Sequence, residues 1–207
     1  SASVQAQLVN GSTHATHHAG HRSPADASTP ATPHAGHRSL QDDVRHRGIE
    51  IPDSPYRTTL QLRHSITRAL DEYRDLSAAL VEDNSAKADR AAVAMQEALR
   101  QVSTDSMRSD GARVWRQHAE LYEKVLRQFQ HEDSIALKRS YFAHLSEIVY
   151  CTVKSFSLGA KLSNVFFCPM ALEGKGAFWL NESKQVQNPY MGVAMPACGE
   201  MRETLGP

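Results

Sequence analysis

The chain lacks any run near the roughly 18 apolar residues that a membrane-crossing helix needs. It lacks a prevailing charge: Lys plus Arg equal Asp plus Glu at 23 each, which points to neither nucleic acid nor a polyanionic membrane surface as partner. Cysteine is scarce, three in 207 residues, and no Cys-x-x-Cys occurs. That excludes c-type haem attachment and, with no His-x3-His nearby, sets ordinary structural zinc aside. A nucleophile-elbow Ser, paired catalytic carboxylates and a Cys-x-x-Cys redox pair are also missing, so the chain is read as a non-enzyme. The stretch shows no initiator Met and no apolar signal core, the expectation being a processed or trimmed form.

What is present falls into three parts. Residues 1–54 are rich in Ser, Thr, Ala, Gly, Pro and His with few large apolar side chains, a composition that buries too little surface to offset its ordering entropy. This head is expected to be disordered. It carries seven of the eleven histidines: His14, His17, His18, His21, His34, His37 and His46. The hexamer His-Ala-Gly-His-Arg-Ser occurs at 18–23 and again at 34–39. Paired imidazoles on a flexible chain bind Cu(II), Zn(II) or Ni(II) weakly. The alternative is a solvated linker that drifted towards His.

Residues 55–157 turn helical. Leu62, Ile66, Leu70, Tyr73, Leu76 and Leu80 make one apolar stripe, with a turn at 81–85 in which Asn84 or Ser85 caps the next helix. Ala88, Ala91, Ala92, Met95, Ala98, Leu99 and Val102 form a second stripe. Ala112, Trp115, Ala119, Tyr122, Leu126 and Phe129 form a third, and Ile135, Phe142, Leu145, Val149 and Phe156 a fourth. Four amphipathic helices with mostly short links predict an all-α body, an antiparallel four-helix bundle. A di-iron site in it would need Glu-x-x-His pairs, and none of His118, His131 or His144 has a Glu three positions earlier. Those histidines and His64 are read as helix-face residues, exposed or hydrogen-bonded, and Cys151 as a small buried thiol.

Residues 158–207 lose the helical period. A short β-prone run, Leu162 to Phe167, leads into Cys168, and Gly174, Gly176, Pro189, Gly192, Pro196 and Gly199 then punctuate the chain. An irregular Cys/Met-rich loop segment packed on the bundle is expected, with short strands at most. Four of the six methionines stand in the last 38 residues, beside two of the three cysteines. Thiolates and thioethers are soft donors that favour Cu(I), and Ag(I) shares that preference, over zinc, magnesium or calcium. Cys168, Met170, Met191, Met195, Cys198 and Met201 are therefore the candidate ligands. The rival use of the same two cysteines is a disulfide closing a loop of about thirty residues, which would stabilise the fold by roughly 3–4 kcal/mol on the chain-entropy argument. Trp179, Asn188 and Tyr190 read as scaffold: a buried anchor, a turn former and a hydroxyl pin.

The series Cys168-Pro169-Met170, Gly176-Ala177-Phe178-Trp179-Leu180 and Asn188-Pro189-Tyr190 through Gly192, Met195, Cys198 and Gly199 resembles a bacterial envelope domain family of unknown function. That family occurs alone or attached to adaptor (membrane-fusion) proteins of Cus-type copper/silver efflux systems. Lys138 to Ser146 is also similar to its last helix, and the likeness spans roughly residues 56–204. The resemblance implies Cys168, Met170, Met195 and Cys198 as metal ligands. Met191 falls where family members often carry an aromatic residue, so it is either an added ligand or a packing substitute. The expectation is an exported, periplasmic copper-binding protein serving sequestration or transfer in copper tolerance. It would hand metal to an RND-type efflux adaptor or another copper acceptor. The alternative is a disulfide-stabilised module that docks on such an adaptor without a metal site of its own.

Overall fold

The computed structural model describes residues 40–158 and 162–206. Four long helices make the body: α2 (Leu60–Val81), α3 (Ser85–Arg100), α4 (Ser109–Gln130) and α5 (Ile135–Phe156), preceded by a short α1 (Leu40–His46). Each expected stripe lies inside. Leu62, Ile66, Leu70, Tyr73, Leu76 and Leu80 are all buried, as are Ala88, Ala92, Met95, Trp115, Tyr122, Leu126, Phe129, Phe142 and Val149. Caps set the starts. Thr59 Oγ1 accepts the Leu62 N–H at 3.2 Å, and Asn84 Oδ1 accepts the Lys87 N–H at 2.9 Å, so orphan amides at both helix starts are satisfied. α2 packs on α3, α3 on α4, α4 on α5, and α5 closes back on α2. The short links between neighbours make them antiparallel.

The carboxy-terminal segment departs from the expectation of an irregular loop and of an all-α chain. It forms a three-stranded antiparallel sheet of β1 (Asn164–Cys168), β2 (Ala177–Asn181) and β3 (Glu200–Thr204), in the order β2-β1-β3. The glycines and prolines that argued against a helix mark the turns between strands. Gly176, at φ +78°, admits the Phe167 ring where a Cβ would come within 2.6 Å of it. β2 lies against α5, so that helix is covered by the bundle on one side and the sheet on the other. Every residue from Leu145 to Val153 is buried in consequence.

Packing also begins ahead of residue 54. Val44, Ile49 and Ile51 are buried, and three residues of α4 hold the chain at Glu50 between them. Arg113 grips the Glu50 carboxylate with two contacts of 2.6 Å, Gln117 Oε1 accepts the Glu50 N–H at 3.1 Å, and His118 Nε2 lies 2.9 Å from the Glu50 carbonyl. His118 is fully buried, not merely on a helix face. Its Nδ1 meets Thr152 Oγ1 at 3.1 Å, and Tyr122 donates to the same hydroxyl at 2.8 Å. The set is self-consistent with a neutral ring: Tyr122 donates to Thr152, Thr152 to Nδ1, and Nε2–H to the Glu50 carbonyl. Burial pushes the imidazole down to about 4, against a smaller upward pull from the Glu50 carbonyl and carboxylate. His64, His131 and His144 are exposed, and Cys151 is buried, as expected.

Candidate metal centre

Cys168 is the last residue of β1, paired with Ala177 of β2, and is fully buried. Cys198 stands two residues ahead of β3 and is half-buried. Because β3 pairs with β1 rather than β2, the chain after Cys198 is drawn alongside the strand that ends in Cys168. Gly199 makes the final approach. At φ +125°, it sits where a Cβ would lie 2.9 Å from the Phe167 carbonyl, 2.9 Å from the Trp179 ring and 3.5 Å from the Cys168 Cβ. Only glycine takes that backbone and that space without strain. The outcome is a pair of free thiols with Sγ atoms 3.0 Å apart.

That separation has a chemical meaning. A sulfur–sulfur bond needs about 2.05 Å, whereas two thiolates sharing a tetrahedral ion at about 2.3 Å each stand roughly 3.8 Å apart. The pair is within about 1 Å of either arrangement. The Cys198 thiol is pushed above its usual range, first by its hydrogen bond with Cys168, then by desolvation and the neighbouring Cys168 charge. An ion binding between the two sulfurs as thiolates must displace thiol protons.

The loop carrying Cys198 is tied at several points. Asn188 is fully buried. Its Oδ1 accepts the N–H groups of Tyr190 and Met191 at 2.8 and 3.2 Å, while Nδ2 donates to the Cys198 carbonyl at 2.6 Å. The Asn188 N–H donates to the Pro196 carbonyl at 2.8 Å, so one asparagine closes both ends of the loop. Tyr190 donates to the Phe178 carbonyl at 2.5 Å and lies 3.4 Å from Ser146 Oγ. Tyr73 joins Ser146 at 2.8 Å and accepts the Leu180 N–H at 3.2 Å. Burial holds the Tyr190 phenol well above its ordinary value, which keeps it a donor. Trp179 is fully buried, stacked on Phe166 at 5.4 Å and edge-on to Tyr190 at 5.9 Å. The scaffold roles expected for Trp179, Asn188 and Tyr190 hold.

Sequence reasoning missed a second clamp. Arg139, near the start of α5, donates Nε–H to the Pro189 carbonyl at 2.8 Å and Nη2–H to the Leu80 carbonyl at 3.0 Å, and pairs with Asp83 in the α2–α3 turn. The other Asp83 oxygen accepts the Val193 N–H at 3.1 Å. Burial pulls the Asp83 carboxyl up, but Arg139 and the Val193 amide together hold it below the usual range. Gly192, at φ +56°, leaves room for this ion pair, which a Cβ there would strike. The available signals were an Asp in a tight turn and a lone Gly in the loop, neither distinctive alone.

Of the sequence-predicted ligands, the structure brings Cys168 and Cys198 together. Met170 stands two residues past Cys168, and Met195 three before Cys198, where the Cys198 N–H donates to its carbonyl at 3.2 Å. Both side chains are exposed, at 55% and 38%. Met201, on β3 opposite Phe166, is 46% exposed, with its sulfur 4.0 Å from Thr204 Oγ1. Met191 packs half-buried against the core, the position of a packing substitute. Among the described residues no group of three or more His, Cys, Asp or Glu stands where it could hold an ion. An ion at this place would therefore have the two thiolates as its charged donors, soft sulfur that suits a monovalent cation. His14, His17, His18, His21, His34 and His37 lie outside the described residues, and no described helix is long and apolar enough to cross a membrane.

Residues 69–161 match a family described as a protein of unknown function (DUF3347), a match that runs from within α2 past the end of α5 and stops short of the thiol pair. No curated protein and no solved structure matches the chain.

Proposed function

We propose that this chain is an exported, periplasmic carrier of monovalent copper, able to take silver by the same donors, that sequesters the ion or passes it on in copper tolerance. The observation that carries the reading is the thiol pair, 3.0 Å apart on tethered backbone. Four of the exposed large apolar side chains, Met170, Val193, Met195 and Met201, belong to this one segment. Cys168 and Cys198 hold the ion as thiolates. Met170 and Met195 complete the coordination from the turns that bear the cysteines, with Met201 as a further surface donor. Buried Cys168 anchors the ion, while the half-buried Cys198 side leaves it open to an incoming donor of an acceptor protein. The histidines of residues 1–54 bind Cu(II) or Zn(II) loosely, apart from the sulfur site. The acceptor is an RND-type efflux adaptor or another copper protein, in keeping with the sequence resemblance.

Anaerobic titration of the reduced protein with Cu(I) against a chromophoric competitor tests this directly. One tight site per chain is expected, lost in the Cys168→Ser/Cys198→Ser double variant, with Met191→Leu nearly unchanged. Weak binding that survives in the double variant would refute the sulfur site. The reading would then pass to the disulfide-fastened docking module, which the same 3.0 Å approach also favours.

A further inference from the structure

The two positions open to the sulfur atoms, about 1 Å closer or about 1 Å further apart, exclude each other chemically. A thiolate lone pair committed to an S–S bond is lost as a strong metal donor. We infer that Cys168 and Cys198 form a dithiol switch that gates the proposed copper site, closing to a disulfide by exchange with an external disulfide and thereby releasing the ion. This inference rests on the copper reading for its gating consequence, though the disulfide step itself does not.

The fold supplies what such a switch needs. Cys198 is half-buried and Cys168 fully buried, which orders the two attacks. The Cys198 thiolate attacks one sulfur of a low-molecular-mass disulfide, forming a mixed disulfide and expelling one thiolate. The Cys168 thiolate then attacks Cys198 Sγ, forming the internal bond and expelling the second. Two protein thiols become one disulfide, the external disulfide becomes two thiols, and the two protons pass to the leaving groups. A bound Cu(I) departs without changing oxidation state.

Neither backbone need move far. Cys168 stays in register with Ala177, Asn188 holds the Cys198 carbonyl, and Gly199 stays lodged between the Phe167 carbonyl and the Trp179 ring. The gap left to close is about 1 Å between the sulfur atoms. The third cysteine does not compete, because Cys151 lies in the fully enclosed middle of α5. The switch is thus confined to one pair by burial.

The test uses the full chain, metal-free, equilibrated in mixtures of oxidised and reduced glutathione, then quenched by alkylation and read by intact mass and peptide mapping. The expected result is a Cys168–Cys198 cross-link in the folded protein, with Cys151 alkylated only after denaturation. The oxidised form is expected to bind Cu(I) at least 100-fold more weakly than the reduced form, with full recovery on reduction. Cu(I)-loaded protein should oxidise more slowly than metal-free protein. A pair that stays as two thiols across the mixtures, while the reduced protein binds Cu(I) tightly, would overturn the switch and leave the copper reading standing. Ready cross-linking in a chain whose reduced form binds no Cu(I) would overturn the copper reading and the gate with it. Equal Cu(I) affinity in both forms would overturn the gate alone.

Discussion

Acid should loosen the chain at His118 before the carboxylates alone would do so. The neutral ring is folded into a line of hydrogen bonds from Tyr122 through Thr152 to the Glu50 carbonyl, and burial holds it down to about 4, against 6.5 when exposed. Between those values the unfolded chain binds a proton that the folded chain refuses, so stability falls as pH falls through 6.5 and levels out below about 4. At ~1.4 kcal/mol per pH unit, the loss between pH 7 and pH 4.5 is about 2.5 kcal/mol. That is a large share of the ~5–15 kcal/mol a domain usually has. Urea unfolding followed by circular dichroism should show the midpoint dropping by about 1–2 M over that range. Glu50 and Asp83, whose carboxyls are held low, lose stability in the same direction, so the variant His118→Gln is the needed control. Its amide can still donate to the Glu50 carbonyl and accept from Thr152. Its curve should lie below the native one at pH 7 and converge on it, or cross it, by pH 4.5. Parallel curves would show that the ring does not resist protonation in the folded chain, and the reasoning would fail.

Two further outcomes follow from the thiol site. Gly199→Ala forces a side chain into a left-handed backbone and within 2.9 Å of the Phe167 carbonyl and the Trp179 ring. A loss of about 2–5 kcal/mol in denaturant unfolding is expected from strain plus overpacking; an unchanged midpoint would show that the loop has other room. Cu(I) affinity measured from pH 8 to pH 6 should weaken by roughly ten- to a hundred-fold per pH unit, because one or two thiol protons must leave for each ion bound. A flat profile would exclude thiolate ligands.

The helical body was open to sequence reasoning because its period is long and repeated. Leu62 to Leu80 offers six apolar positions at helical spacing, and the Asn84 cap and the 81–85 turn carry their own chemistry. The sheet was not. β1 announces itself as Asn-Val-Phe-Phe-Cys, but β3 is Glu-Met-Arg-Glu-Thr, largely exposed, with no alternation to betray it. Its place beside β1 depends on contacts nearly 40 positions away. α1 was equally hidden, since only two apolar residues, Leu40 and Val44, mark it within a polar head. His118 had a signal that went unused: it stands three residues after Trp115 and four before Tyr122, on the buried stripe. The two cysteines were recognisable as partners through donor softness and the family likeness. Their 3.0 Å approach was not, because it needs β3 to bypass β2 and Gly199 to turn where nothing else fits. Arg139 and Asp83 escaped because each looks like an ordinary surface charge until the loop is laid across them.

The strand order also sets a schedule. The helices depend mainly on neighbours already made and can assemble as the chain lengthens, but β3 is the last strand to appear and it is the one that carries the Cys198 turn to β1. Cys168 has its partner fixed beside it only when the segment up to Thr204, 36 residues on, has folded back along β1. Until then the strand that ends in the inner thiol has one edge unpaired. The thiol pair is thus a property of the completed sheet rather than of any one strand.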